Sequence, residues 1–263
     1  MRISCPSSRR CSTPDALART AGLLTALLLA VPAFARSPAG APSGMAAEIR
    51  RDLSKRTSKR FDSLLASWKK RYGTRAVEPL LGIAADRKLS DPDRYIALMG
   101  SARLGGPAIA PRLTPLLKDK SWMVRSAALQ ALRFLGNREA APHVLALLKD
   151  PALVVRSEAV QTVEALRPEG AVPALVDAAT DEANYHAGKA RWVPQKALAA
   201  LVKLEAPGSV ARELRPLLDY EADPELVRQT IRTLEAITGR SPASAAVPLS
   251  DSVRAWKATL SEP

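Results

Sequence analysis

Apolar positions along this chain fall at helical spacing and in paired groups. Leu113, Leu116 and Leu117 make one short stripe, and Val144, Leu147 and Leu148 make its copy 31 residues later. Val124, Leu129, Leu132 and Leu135 make a longer stripe, matched by Val155, Val160, Val163 and Leu166. Steps of three and four place such residues on one face of an α-helix. The pattern predicts helix pairs repeated along the chain. A unit this short cannot bury its own apolar face, so neighbours must stack into one elongated core. Burying each of these side chains is worth about 1.5–3 kcal/mol, and part of that burial belongs to the adjacent unit.

Polar and special residues keep the same interval. Arg94, Arg125 and Arg156 are 31 apart, as are Pro111, Pro142 and Pro173, and Asp119, Asp150 and Asp181. Leu98, Leu129 and Val160, and again Leu104, Leu135 and Leu166, follow it too. Five pairs are predicted, near residues 74–104, 107–135, 138–166, 169–205 and 208–238. Asp91-Pro92, Asp150-Pro151 and Asp223-Pro224 stand where second helices should begin, the aspartate to cap free amides and the proline to open the helix.

Ahead of the pairs, Ile49, Leu53, Phe61, Leu64, Leu65 and Trp68 share one helical face, and Arg51, Lys55, Lys59, Lys69 and Lys70 the opposite one. Residues 47–73 therefore predict a long basic helix that caps the open end of the array. A Pro, Ser and Ala linker over 239–248 leads to a last helix over 249–263, with Trp256 on its apolar side, closing the far end.

The order Pro142, Asp150, Val155-Arg156, repeated as Pro111, Asp119, Val124-Arg125, resembles the HEAT repeat pattern over roughly residues 74–238. It is similar in particular to bacterial HEAT-like repeats of the phycobilisome-lyase type. The resemblance implies that the proline bends the first helix, the aspartate sits at the turn, and the arginine joins a hydrogen-bond ladder. Asp119, Arg125, Asp150 and Arg156 are the positions that match. Arg94-Tyr95 departs from Val-Arg, and Pro194 follows Val193 where an arginine is expected. The implied fold is all-α: a right-handed α-solenoid of about five HEAT-like helix pairs with capping helices at both ends. Such a fold specifies activity poorly.

The N-terminal segment has its own pattern. Arg2, Arg9, Arg10 and Arg19 precede an apolar run from Leu23 to Val31 that ends in Ala33-Phe34-Ala35. This reads as a signal peptide over residues 1–35 cleaved after Ala35, with a flexible leader over 36–46, and so as a periplasmic or secreted product. The alternative start is Met45, which gives a cytosolic product. Removing 1–35 takes the formal charge from +13 to +10, because that segment carries four arginines and one aspartate. Cys5 and Cys11 are the only cysteines and leave with it, which excludes disulfides, thiolate metal sites and a cysteine nucleophile from the mature chain.

Catalytic signatures are scarce. His143 and His186 are the only histidines and form no metal-binding motif, and Gly100, Gly105 and Gly106 lack phosphate-loop spacing. No cofactor is implied. The irregular stretch from Glu182 to Trp192 holds the candidate binding residues Tyr185, His186, Lys189, Arg191 and Trp192 in a turn seven residues longer than its predecessor. Tyr95, Trp122, Tyr185, Trp192 and Tyr220 all fall in or beside such turns, five of the ten aromatic residues of the mature chain. Stacked turns would align these rings as a ridge, unless each packs over its own helix end.

The leading expectation is a non-enzymatic scaffold that holds a protein partner. Lys55, Lys59, Lys69 and Lys70 offer a patch for an anionic polymer or membrane surface. The runner-up is a basic nucleic-acid-binding protein similar to the DNA glycosylases built from HEAT-like repeats, against which export argues. A chromophore lyase rests on the resemblance alone.

Overall fold

The computed structural model describes residues 43–55, 61–243 and 247–261. All belong to one unit, Gly40–Pro263. The expected signal peptide, residues 36–42 of the leader, and Lys59 lie outside the described residues.

Helix α1, Ser43–Ser54, begins ahead of the expected start at Ala47. Helix α2 spans Phe61–Tyr72. One continuous helix would hold residues 52 and 68 about 24 Å apart at a rise of 1.5 Å per residue. Instead the Trp68 Nε1–H donates to Asp52 Oδ2 at 3.0 Å, Arg71 pairs with Asp52, and the Tyr72 hydroxyl donates to Glu48. The expected single capping helix is thus an antiparallel helical hairpin. Burial drives the fold-back, since Ile49, Leu53, Leu64 and Trp68 are all enclosed. Trp68 lies on Gly100, where a Cβ would come within 3.0 Å of the indole ring. Lys55, Lys69 and Lys70 stay on the outside.

The predicted pairs follow. The first joins α3, Val77–Ala85, to α4, Asp91–Gly105. The second runs through 3-10 turns flanking α5, Ala110–Leu113, into α6, Trp122–Leu135. The third repeats this around α7, Ala141–Ala146, and ends in α8, Leu153–Leu166. The fourth joins α9, Ala171–Thr180, to α10, Val193–Lys203. In the fifth, a 3-10 helix over Gly208–Asp219, with Pro216 inside, precedes α11, Pro224–Thr238. Proline removes an amide donor from a helix interior, and Pro115 and Pro216 stand in the 3-10 segments of the second and fifth pairs, whereas α3 and α9 run unbroken past Pro79 and Pro173. The second helices stack in chain order, α4, α6, α8, α10 and α11. Helix α12, Leu249–Ser261, closes the far end through Trp256 and Leu260.

A ladder of buried arginines joins successive turns. Arg94 Nη1 and Nη2 donate to the two oxygens of Asp119 at 3.1 and 2.6 Å. Arg125 Nε and Nη2 hold Asp150 at 2.7 and 2.7 Å, while its Nη1 donates to the Asp119 carbonyl at 2.8 Å. Arg156 Nη1 donates likewise to the Asp150 carbonyl at 2.6 Å. Each guanidinium thus grips the backbone near its own helix and the turn of the next pair. Arg94 completes this ladder although its neighbours depart from Val-Arg. Arg156 departs from the expected interval: its Nε donates to Asn184 Oδ1 at 2.7 Å, and Asp181 instead accepts from the Ala183 amide.

Asp91 and Asp150 act differently from the expected caps. Ser90, and not Asp91, caps α4. Asp150 accepts from the Ala152 amide at 2.8 Å while facing Arg125, and Asp223 caps α11 as expected.

Removing one partner of a buried, bidentate ion pair leaves the other charge unsolvated and costs about 3–5 kcal/mol. Asp150→Ala should therefore lower unfolding stability by that order in chemical denaturation; a loss under about 1 kcal/mol, the range of exposed pairs, would show the rung to be dispensable. The ladder also sets an acid limit. Burial alone would raise the Asp119 carboxyl, but hydrogen bonds from Arg94 and the Ser121 amide and the charges of Arg94 and Arg87 outweigh it, holding the group below its ordinary 3.8. A depressed carboxyl stabilises above its unfolded value and loses that contribution as pH falls through the folded value. Melting temperature should drop below about pH 4, and Asp119→Asn should flatten that drop.

Candidate functional site

The fourth turn breaks the register: Val155 and its counterpart Val193 are 38 positions apart where the earlier interval is 31. The extra residues fold locally. After a 3-10 turn at Glu182–Asn184, strand β1, Tyr185–His186, pairs antiparallel with β2, Lys189–Ala190. The two residues between them, Ala187 and Gly188, have φ of 49° and 73°, as a two-residue hairpin of type I′ requires. The Arg191 amide then donates to the Asn184 carbonyl at 2.8 Å, closing the base of the hairpin.

This insertion also replaces the missing arginine at Pro194. The Ala190 amide donates to Asp223 Oδ2 at 3.0 Å, while Asp223 Oδ1 accepts from the Leu226 amide at 3.1 Å. A backbone N–H of the hairpin thus occupies the place of a guanidinium, and the ladder runs on into the fifth pair. Asn184, fully buried, joins the hairpin to the third pair by accepting from Arg156 and donating to the Ala178 carbonyl at 2.9 Å.

Trp192 leaves the hairpin in an unusual conformation. Its φ is 61° and its ψ −45°, and the Val193 amide donates back to the Arg191 carbonyl at 2.6 Å. This is a γ-turn with positive φ at the central residue, a rare and strained arrangement for an L-residue. The residue is 60% exposed. His186, Lys189 and Arg191 are exposed beside it in sequence. Trp122, which opens α6, is 45% exposed.

The expected five-ring ridge forms only in part. Tyr185 and Tyr220 stack on each other, with centroids 4.4 Å apart and planes 23° apart, and the Tyr185 hydroxyl donates to the Ala179 carbonyl. Burial, with the charges of Tyr220 and Asp223, pushes the Tyr185 phenol up. These two rings brace the hairpin. Tyr95 is half-buried and its hydroxyl donates to Gln130 Oε1 at 2.8 Å, so it ties α4 to α6.

Other groups carry no sequence signal. Val154, the second residue of α8, is 41% exposed. On the second helices Arg133 pairs with Glu158, Lys196 Nζ donates to Ser157 Oγ at 2.7 Å, and Arg103 lies over the Phe134 ring at 4.3 Å. Burial raises the Glu158 carboxyl despite Arg133 and Lys196. Open clefts border α12; one of about 630 Å³ is lined by Gly208, Arg212, Arg240 and Trp256. Among the described residues no three His, Cys, Asp or Glu side chains gather as a metal ion would require.

Comparison with known proteins bears on the array. Residues 77–164 match the family model described as HEAT repeats. Curated proteins give no match. Among solved structures, the complex of CpcE and CpcF of phycocyanin lyase from Nostoc sp. PCC7120 is 23% identical with a TM-score of 0.49, covering 62% of this chain and 65% of that one. The chain thus spans just under two thirds of that relative. A designed armadillo repeat protein in complex with the peptide (KR)4 is 17% identical with a TM-score of 0.43, covering 73% and 98% of the two chains. An engineered protein is 20% identical with a TM-score of 0.41, covering 72% and 96%. The likeness to HEAT repeats rests on residues 77–164.

If Asp223 anchors the hairpin, Asp223→Ala should cost about 1 kcal/mol through the lost cap and speed hydrogen exchange at Ala190 well above its parent rate. Amides in α6 should keep their rates. Unchanged protection at Ala190 would mean the hairpin stands without the aspartate.

Proposed function

We propose that this protein is an exported, non-enzymatic scaffold that holds a protein partner against the turn edge and the adjoining face of its second helices. The observation that carries this reading is the exposure of Trp122 and Trp192 on turns fixed by the ladder. Large rings left in solvent on a rigid frame are costly to keep wet, and tryptophan is enriched where binding energy concentrates. Trp192 is held out at a strained backbone position, and such strain gathers at functional sites. The Arg-rich, apolar N-terminal segment ending at Ala35 supports the export part of this reading. The Lys55, Lys69 and Lys70 patch would add attraction to an anionic polymer or membrane surface.

Mass spectrometry of the native protein should find Arg36 as first residue. Immobilised protein should then retain a cell-envelope partner that the Trp122→Ala/Trp192→Ala variant loses, each substitution weakening binding tenfold or more. A start at Met45, with labelled DNA bound at low salt and released as salt rises, would move the protein to the nucleic-acid reading. Turnover of a substrate with no partner retained would overturn the scaffold.

A further inference from the structure

Each of three consecutive turns leaves one large apolar side chain in solvent. Trp122 opens α6, Val154 is the second residue of α8, and Trp192 immediately precedes α10, at 45, 41 and 60% exposure. The charges around them are unbalanced for a specific reason. In sequence, Lys118-Asp119-Lys120 and Lys149-Asp150 carry both signs. In the fold, Asp119 and Asp150 are buried at 6 and 5% exposure and held by Arg94 and Arg125. The ladder takes the carboxylates inward and leaves Lys118, Lys120 and Lys149 outside. On the hairpin Lys189 and Arg191 are exposed, and Glu182 is the exposed carboxylate of these three turns. The edge is therefore apolar once per repeat and positive between.

Spacing limits what can lie along it. Packed helices sit about 8–10 Å apart, so successive turns recur at roughly that step, with Trp122, Val154 and Trp192 standing at three different places relative to their helix starts: the first residue, the second, and the residue before. A polyproline II chain has three residues per turn and advances about 3.1 Å per residue. It therefore presents every third side chain on one face at about 9 Å intervals, in step with the turns. A β-strand alternates faces every residue, and an α-helix needs six residues to climb that far. Exposed indoles are also the surface on which proline rings dock.

We propose that the turn edge binds an extended, acidic, proline-containing segment of a partner protein, with an apolar residue at every third position resting on Trp122, Val154 and Trp192 and carboxylates facing Lys120, Lys149, Lys189 and Arg191. This rests on the scaffold reading and specifies its occupant.

The test titrates a fluorescein-labelled peptide of three Pro-Glu-Glu triplets into the full-length protein, following anisotropy and intrinsic tryptophan emission. Saturable binding is expected, weakening with salt and at least tenfold weaker in Trp192→Ala. The Lys120→Glu/Arg191→Glu variant, which alters two exposed side chains and leaves their backbone hydrogen bonds in place, should lose binding as well, with unchanged circular dichroism. A Pro-Lys-Lys triplet peptide should not bind. The proposal fails if the Lys peptide binds equally, if Trp192→Ala binds as tightly as the parent, or if nine consecutive glutamates bind as well as the triplets. It also fails if the triplet peptide leaves the protein unbound, or if duplex DNA binds the edge with the same Trp192 dependence in its place. Loss of an envelope partner in the Trp122→Ala/Trp192→Ala variant alongside a failed peptide titration would keep the scaffold and discard this occupant. Loss of neither would discard both.

Discussion

A guanidinium held between two turns is the interaction on which this array depends. The Arg125 guanidinium has five N–H donors to satisfy with only 11% of its side chain exposed, and the fold fixes partners for them: the Asp119 and Lys120 carbonyls on one side, both oxygens of Asp150 on the other. Apolar stacking of helices is non-directional and would tolerate a sliding register. The bidentate pair is directional, so it sets how one pair docks on the next. Arg94 and Arg156 repeat the device on either side.

Function and scaffold are connected through what the ladder removes from the surface. By taking Asp119 and Asp150 inward it leaves lysines unopposed along the turns. After Arg156 the arginines stop, and the Ala190 amide of the inserted hairpin reaches Asp223 in their place. The hairpin in turn forces Trp192 into a positive-φ γ-turn with its ring in solvent. The break in register, the substitute hydrogen bond and the exposed Trp192 thus coincide where the ladder arginine is missing.

Much of the array was legible because helical stripes and a 31-residue interval are local signals. The ladder roles of Asp119, Arg125, Asp150 and Arg156 came from the resemblance to HEAT repeats, and Arg94 was legible from its interval but masked by its neighbour Tyr95. The hairpin of α1 and α2 was not, since Leu53 and Leu64 are eleven residues apart and remain in phase on a continuous helix. The contacts of Asp52 with Trp68 and Arg71, and of Glu48 with Tyr72, separate the two. The fate of the rings was not legible either: Tyr185, Tyr220 and Trp192 are equally polar-edged in sequence, and side-chain direction decides which stack and which stand free. Asn184 taking the role of Asp181 depends on how seven extra residues fold, which no pattern encodes.

A double-mutant cycle on Arg125 and Asp150 tests the ladder most directly. Chemical denaturation of Arg125→Met, Asp150→Leu and the double variant should give a coupling of about 1.5 kcal/mol or more, with the double variant more stable than Asp150→Leu alone. Single effects that add to within about 0.5 kcal/mol would mean that apolar stacking alone sets the register, and that the ladder merely decorates it.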